Sequence, residues 1–509
     1  MRSLYLIPMM VVVGCAGDPD NVQVDLAPGL ISSLDGVTTV NAVVLAGSTP
    51  LEDEAVRITV DYKDRNGMDH MIAPIDAKTD SRGVVSQPLT GLTWDGIGTV
   101  TVTTSNMITG TATFTVLDRT PPTVEILPPT ADKKVGLGLP IDVQVKVTDE
   151  IGISTVVLDA TGGTQGTRQT LVGSGTQMTT ITFRLFVPQN PPANNTIELH
   201  ALASDLSGNF GVAAPVTLTI DPTITIATPP GLMGTLLTDG TASQIVNPRA
   251  IAMSPKDSQL YVADDANVTG CTPSCVWKVD PTNGTVVSKS VNGVSQVEGV
   301  AFDAAGDNMY VSDSQNRITR YTWDAGTSTY INPAQCVDPN QQQPQNPYHL
   351  VFDGTRILVV DGQDQNLQTV VSACAGTASG VALSAQQTFD SPRGVSLGAT
   401  AADIFVSDNN NDRVSKVDAT TGTVTPFANV NSPYGMEWLA GGTSTFADSL
   451  MIASQQSRII ESAKGNGQTN AAAYLRNTPI DVAISSGTMY IVTTPSANNR
   501  GRIYKVTGF

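Results

Sequence analysis

The sequence predicts an all-β protein built from two β-sandwiches followed by a six-bladed β-propeller. The chain is rich in Val, Thr, Gly, Asn and Asp and has only 5% aromatic and 15% charged residues, a mixture typical of short strands joined by tight turns. Its first half contains segments that alternate apolar and polar residues, and its second half repeats a unit of forty-odd residues. A length of 509 residues accommodates about three domains.

Residues 1–14 have the features of an export signal: a basic Arg2, a short apolar run from Leu4 to Val13 and a small residue, Gly14. Cys15 follows directly. This arrangement resembles the bacterial lipoprotein signal, which implies cleavage before Cys15 and acylation of its thiol and amino group. We therefore expect a lipid-anchored protein of the bacterial cell envelope, and Ala16 is compatible with the outer membrane. An ordinary secretory signal with a coincidental cysteine is the alternative.

The charge balance limits the partners of the chain. A formal net charge of -18 argues against nucleic acid, because phosphate backbones attract clustered Lys and Arg. After the signal there is no apolar run near 20 residues, so we expect attachment to the membrane through the N-terminal lipid alone. The remaining partner is then an unknown protein, peptide or glycan.

The mature chain has four cysteines besides Cys15, an even number that favours disulfides in an exported protein. We expect Cys271 to pair with Cys275 and Cys336 to pair with Cys374, although four cysteines permit three pairings. A metal site is the rival interpretation. The two pairs are spaced differently, and the three histidines, at positions 70, 200 and 349, lie far from one another in the sequence.

The sequence pattern of residues 15–117 predicts a linker and a first sandwich. Val56–Val60 and Thr99–Thr103 alternate with period two, as strands with one buried face do. Between them, Thr79–Val84 has the Asp and Gly of a tight turn. This segment resembles the bacterial immunoglobulin-like repeats of surface adhesins, which combine such a turn with a late strand of alternating Thr and Val.

Residues 118–221 predict a second sandwich, beginning at a junction stiffened by Pro121 and Pro122. Two turns follow, Val147–Ile153 and Ala203–Asn209, and their order resembles another family of bacterial immunoglobulin-like surface modules. Both turns could lend oxygens to Ca²⁺ at an interdomain junction, but turn formation by Asp and Asn is the plainer account. Such modules usually act as spacers, so we expect a stalk.

Residues 222–509 contain the internal repeat: Pro-x-Gly-Val, then Tyr-Val-x-Asp, then Arg-Ile. Successive ends of the second strand lie 49, 48, 47, 46 and 39 residues apart, which is propeller periodicity. The units resemble NHL repeats, most specifically from Asp408 to Val414. About six units are present, and the last one has only three strands. Leu232–Leu237, which precedes the first unit, is expected to supply the missing outer strand and close the ring.

The beginning of the innermost strand and the end of the second strand should meet at one rim of each blade, where we expect the ligand. The predicted rim residues are Arg249, Glu298, Tyr348, His349, Arg393, Tyr434, Glu437 and Asp481, with Asp264, Asp313, Asp361 and Asp408 behind them. A repeated aspartate that caps a turn is the structural alternative for the last four.

Binding is the expected function of this rim. No nucleophile elbow, catalytic triad order or phosphate loop is present in the sequence, so no catalytic residue, metal or cofactor is predicted. The alternative is a metal-dependent hydrolase, because related six-bladed propellers include lactonases that hold a divalent metal in the central mouth. Glu298 and Asp481 are the carboxylates that suit such a role here, without a complete matching ligand set.

Overall fold

The computed structural model describes residues 17–509 except for positions 66, 130–131, 163–167, 173–175, 191–192, 230, 239–243, 269, 338–343, 375–379, 442–443 and 496–499. The expected signal segment and Cys15 lie outside the described residues. The part of the chain described is all-β: it has 43 strands and a single 3₁₀ turn at Asn409–Asn411. Within it, no helix has the length and apolar character needed to cross a membrane.

The first nine strands form two packed sheets. In one sheet, β3 pairs with β1, β4 and β7; the other has the order β2-β9-β8-β5-β6. Alternation in β8 places Val100 and Val102 inside, where they meet Tyr62 and Phe114 from the neighbouring strands. The strands are β1 (Asn21–Ala27), β2 (Leu30–Ser32), β3 (Val37–Ala46), β4 (Thr49–Pro50), β5 (Ala55–Asp64), β6 (Ile75–Lys78), β7 (Val84–Thr90), β8 (Gly96–Thr104) and β9 (Thr109–Leu117).

The next nine strands form a second sandwich with its own core. A three-stranded sheet, β10-β12-β15, packs on a sheet of order β11-β18-β16-β13-β14, and β17 pairs with β16. The immunoglobulin-like character of the two sandwiches stays a prediction. The strands are β10 (Thr123–Leu127), β11 (Lys134–Val135), β12 (Pro140–Thr148), β13 (Ile153–Thr161), β14 (Arg168–Leu171), β15 (Met178–Phe186), β16 (Thr196–Asp205), β17 (Phe210–Val212) and β18 (Val216–Ile220).

Six antiparallel sheets of the remaining chain form the propeller blades. The first three are β21 (Pro248–Met253), β22 (Leu260–Asp264), β23 (Ser274–Val279) and β24 (Val286–Val294); β25 (Val297–Phe302), β26 (Asn308–Asp313), β27 (Arg317–Asp324) and β28 (Thr329–Gln335); and β29 (Pro347–Phe352), β30 (Arg356–Asp361), β31 (Asn366–Val371) and β32 (Val381–Ala382). The last three are β33 (Pro392–Leu397), β34 (Asp403–Asp408), β35 (Arg413–Asp418) and β36 (Val424–Asn429); β37 (Pro433–Leu439), β38 (Ser449–Ser454), β39 (Ile459–Ala463) and β40 (Thr469–Leu475); and β41 (Pro479–Ser485), β42 (Thr488–Thr493) and β43 (Arg502–Thr507).

Each second strand is apolar on both faces because a neighbouring blade covers each face. All five residues of β22 and all six of β38 are buried, so these strands read as continuous rather than alternating apolar runs. Innermost strands of successive blades contact one another, and β41 of the sixth blade contacts β21 of the first. The ring is therefore closed.

The strand that completes the sixth blade comes from the start of the domain. β20 (Met233–Thr238) pairs antiparallel with β43, which confirms the expected role of the segment before the first repeat. A second short strand, β19 (Ile226–Ala227), pairs with β40 and gives the fifth blade an extra outer strand. The sequence analysis did not predict β19.

The second sandwich contacts the outer strand of the fifth blade. The guanidinium of Arg184 lies 5.0 Å from the ring centre of Tyr474, and Arg476 donates a 3.1 Å hydrogen bond to the carbonyl of Pro222. Tyr474 belongs to β40, whereas the channel is formed by the innermost strands. The contact between the sandwich and the propeller thus lies on the outer side of the ring.

Candidate functional site

The innermost strands of all six blades begin at the same rim and contact each other around a central channel. Their second residues form one level of this rim. These are Arg249, Glu298, Tyr348, Arg393, Tyr434 and Ile480. Five of the six were predicted from the repeat. Ile480, in the sixth blade, was missed, although its place after Pro479 marks it as the equivalent position.

Arg393 is held against two aromatic rings at this rim. Its guanidinium carbon lies 4.1 Å from the ring centre of Tyr348 and 5.7 Å from that of Tyr434, distances at which a cation is attracted to the face of a ring. Tyr348 is itself fixed by a 3.0 Å hydrogen bond from the side-chain amide of Asn346. Among the described residues, Arg393 has neither a hydrogen bond nor an ion pair with a carboxylate.

Arg249 and Glu298 lie on the other side of the same rim. Arg249 pairs with Asp265, with Nη2 3.0 Å from Oδ2; Asp265 follows the repeated Asp264 and was not among the predicted residues. Burial raises the pKa of Glu298 to about 7, because the opposing charges of Arg249 and Arg393 do not offset the loss of water. Glu298 is therefore partly protonated near neutral pH.

The third position of the innermost strand is Gly or Ala in four blades and His349 or Asp481 in the other two. Nε2 of His349 lies 3.2 Å from Oδ2 of Asp481, which also accepts a 2.9 Å hydrogen bond from the backbone N–H of Ile251. These two residues come from the third and sixth blades, which face each other across a ring of six. A Cβ at Gly435 would collide with the Asp481 carboxylate, which explains the glycine there.

Several neighbours fix the protonation of this bridge. Burial, the largest effect, disfavours the charged imidazole, but the carboxylate of Asp481 and the carbonyl of Val395 outweigh it, so the pKa of His349 is raised above its ordinary value. Oδ1 of Asp481 accepts the N–H of Val482. The bridge thus joins an imidazole with a raised pKa to a carboxylate across the channel.

Glu437 does not lie at the Pro-x-Gly rim where the sequence analysis put it. It is the fifth residue of β37, roughly 13 Å along the strand from Pro433 at about 3.3 Å per residue, so it belongs to the opposite half of the channel. Its Oε2 accepts a 2.6 Å hydrogen bond from the N–H of Ile484. Burial raises the pKa of Glu437 to about 8.

The eight predicted rim residues therefore fall into three groups. Arg249, Glu298, Tyr348, Arg393 and Tyr434 form what we call the mouth. His349 and Asp481 form the bridge. Glu437 lies beyond the bridge, in a cavity of about 420 Å³ that His349 also lines.

The four repeated aspartates behind the mouth are structural. Asp264, Asp313, Asp361 and Asp408 have at most 1% of their surface exposed. Asp264 accepts hydrogen bonds from the N–H groups of Val246 and Asn247 and from the indole of Trp277, and the other three bind turns in a similar way. Their oxygens hold loops in place.

Both expected disulfides are present: Cys271 bonds Cys275, and Cys336 bonds Cys374. The first is local to the first blade. The second joins the segment after β28 to the segment after β31, so it links the second and third blades. Neither disulfide lies at the mouth.

Three carboxylates meet at the junction of the two sandwiches. Oxygens of Asp118, Asp149 and Asp205 all lie within 4.8 Å of one another. They also serve turns: Oδ1 of Asp149 accepts the N–H groups of Ile151 and Gly152. Both interpretations of these turns, backbone capping and Ca²⁺ ligation, therefore involve the same carboxylates.

No family model and no curated protein matches the chain. Among solved structures, it is similar to an auxiliary nutrient binding protein from Bacteroides ovatus, with 13% identity over 76% of this chain and 98% of that one, at a TM-score of 0.41. It is also similar to a gluconolactonase from Xanthomonas campestris, with 15% identity over 53% of this chain and 91% of that one, at a TM-score of 0.41. A regucalcin from Agrobacterium tumefaciens gives 12% identity over 55% and 96%, again at 0.41.

Proposed function

We propose that the propeller binds, without chemistry, a small molecule or peptide end that bears a carboxylate, and that it does so at the mouth. The observation that carries this proposal is that Arg393 lacks a carboxylate partner among the described residues. Arg249, Arg317, Arg356 and Arg413 each pair with an aspartate of the propeller. Arg393 has no such partner among the described residues and is held on Tyr348 and Tyr434. Its planar guanidinium can therefore bind a carboxylate of a ligand in bidentate fashion.

The surroundings of Arg393 suit an anion. Glu298, with a pKa of about 7, can take up a proton and so avoid repelling a bound carboxylate. The rings of Tyr348 and Tyr434 offer flat apolar surface beside the guanidinium, and all of these side chains are half-buried.

Two features favour binding over hydrolysis. Both ring nitrogens of His349 are engaged, by Val395 and Asp481, so this imidazole is not free to act as a base at the mouth. Glu298 and Asp481, the two carboxylates considered for a lactonase-like metal, belong to different levels of the channel, and both oxygens of Asp481 already accept hydrogen bonds.

The test compares benzoate with its neutral analogue benzamide by isothermal titration calorimetry. We expect Arg393→Gln to weaken benzoate binding at least tenfold and to change benzamide binding little, because only the carboxylate uses the guanidinium charge. Arg57→Gln, at an exposed ion pair of the first sandwich, is the control for the loss of one positive charge. Equal binding of the two probes, or equal loss in both variants, would contradict the proposal. Lactone hydrolysis that needs a divalent metal and is lost in Glu298→Gln would favour the hydrolase.

We also propose that Cys15 anchors the protein to the cell envelope and that the sandwiches act as a stalk for the propeller. The sequence of residues 1–15 supports the anchor. The contact of Arg184 with Tyr474, on an outer strand and away from the channel, supports a stalk that does not cover the ligand site. Cys15→Ser should leave the protein unprocessed or release it from membranes; unchanged membrane retention on fractionation would contradict the anchor.

A further inference from the structure

The channel ends in a second concavity on the side away from the mouth. It has a volume of about 420 Å³ and is lined by the last residues of the innermost strands and the turns that follow them. Most of its wall is apolar. The apolar side chains of this wall include Met253, Phe302, Phe352, Leu397, Met436 and Val482. The bridge of His349 and Asp481 lies between this cavity and the mouth.

The charged residues that line this cavity are almost all acidic: Asp303, Asp353 and Glu437, with His349 as the basic exception and no Lys or Arg. The two aspartates belong to turns and are engaged there. Asp303 accepts the side-chain amide of Asn308, and Asp353 accepts the guanidinium of Arg356. The charge of His349 is directed at Asp481.

Glu437 differs from these aspartates. Within the described part of the chain it forms one hydrogen bond, in which Oε2 accepts the N–H of Ile484. Oε1 is left for an occupant of the cavity. A single available carboxyl oxygen inside an apolar wall suits one donor group attached to an apolar body.

We propose that this cavity is a second binding site and that it takes a small organic ammonium, an apolar molecule carrying one protonated amine that donates to Oε1 of Glu437. An arginine-lined mouth and an acid-lined cavity then select ligands of opposite charge at the two ends of one channel. A hydrated divalent metal fits poorly, because six or more oxygen ligands are needed and the wall is apolar.

The test titrates the whole protein with cyclohexylammonium and with its neutral analogue cyclohexanol, by calorimetry at pH 7 and pH 9. The carboxylate form of Glu437 binds the cation, and with a pKa of about 8 that form rises from about a tenth to about nine-tenths of the molecules. We expect cyclohexylammonium to bind about tenfold more tightly at pH 9, since aliphatic amines stay protonated to about pH 10. Cyclohexanol should bind more weakly and without this dependence.

Variants assign the effect to one carboxyl group. Glu437→Gln keeps an oxygen for the N–H of Ile484 and should abolish both the preference for the cation and its pH dependence. The groups that act on Glu437 electrostatically, His349 and Asp481, remain in that variant, so any dependence that persists belongs to them. Glu461→Gln, on β39 of the same blade, is the matched control and should bind as the unaltered protein does. Absence of cyclohexylammonium binding, equal binding of cyclohexanol, or binding unaffected by Glu437→Gln would overturn the proposal. The benzoate test at the mouth is independent of these outcomes.

Discussion

The imidazole of His349 binds the carboxylate of Asp481 across the propeller channel, with Nε2 3.2 Å from Oδ2. The two residues replace the glycine of the Pro-x-Gly repeat in opposite blades, where the other blades carry Gly or Ala. The contact joins two opposite blades at this level of the channel. The bridge therefore lies between the mouth and the opposite cavity.

The first prediction concerns the imidazole of this bridge. The chain has three histidines, so their imidazole signals can be assigned by NMR with His70→Gln and His200→Gln as references. We expect His349 to titrate above the ordinary value of about 6.5, because Asp481 stabilises the protonated ring. Titration at or below that value would contradict the bridge as an ion pair.

The same raised pKa has a consequence for stability. A group whose folded pKa is raised contributes stability that is fully present below its unfolded pKa and is lost as the pH rises through its folded pKa. The bridge should thus stabilise the propeller below about pH 6.5 and lose that contribution above it. Glu437 also titrates in this range, so the quantity to measure is the difference in free energy of unfolding between the unaltered protein and His349→Gln.

The fold was largely predictable because it repeats. The spacing of the second strands indicated six blades, and the orphan segment from Leu232 to Leu237 indicated the closing strand. In the structure this strand runs from Met233 to Thr238, one residue further along. β19 could not be predicted from its pattern. It is two residues long, and it forms because the linker from the second sandwich passes β40.

The candidate site was predictable only in part, for a geometric reason. The repeat places equivalent residues at one level, and this identified Arg393 and Tyr348. It does not say how far along a strand a side chain lies from the rim, and Glu437 was placed at the mouth for that reason. The contact of His349 with Asp481 depends on two blades being opposite, yet the replacement of a repeated glycine was a signal visible in the sequence.

A second prediction compares the two disulfides. Cys336 and Cys374 are 38 residues apart and join two blades, whereas Cys271 and Cys275 are four residues apart. In the chain-entropy account, a cross-link that closes a longer loop restricts the unfolded chain more. Replacing Cys336 and Cys374 by Ser should lower the free energy of unfolding by about 2–4 kcal/mol.

The matched control is the double change of Cys271 and Cys275 to Ser. All four cysteines are buried, so both double variants place serines in similarly buried positions. Chemical unfolding followed by tryptophan fluorescence gives both values. An equal or larger cost for the local pair would contradict the argument from loop length.

A third prediction concerns the closing strands. A chain that begins at residue 222 keeps β19 and β20 and should be soluble and monomeric. A chain that begins at residue 241 lacks both, which leaves β40 of the fifth blade and β43 of the sixth without their outer partners. Unpaired edge strands promote association. Light scattering after size-exclusion chromatography should therefore detect aggregates only in the shorter chain; a monodisperse shorter chain would show that the ring does not need these strands.

The last prediction decides between the two interpretations of the sandwich junction. Burial, together with the charges of Asp205 and Asp118, raises the pKa of Asp149, so its ionised form opposes folding at neutral pH. Asp149→Asn keeps Oδ1 for the N–H groups of Ile151 and Gly152 and removes one negative charge. If capping is the role of Asp149, the variant should be more stable at pH 7 in EDTA. Its free energy of unfolding should rise by less than about 1 kcal/mol after solvent screening, and its melting temperature should rise accordingly. The gain should disappear near pH 3, where the carboxyl is protonated in both states. Glu125→Gln, an exposed change in the same sandwich, should show neither effect.

If the three carboxylates bind Ca²⁺, added calcium should instead raise the melting temperature of the unaltered protein, and Asp149→Asn should lose that rise because a ligand is missing.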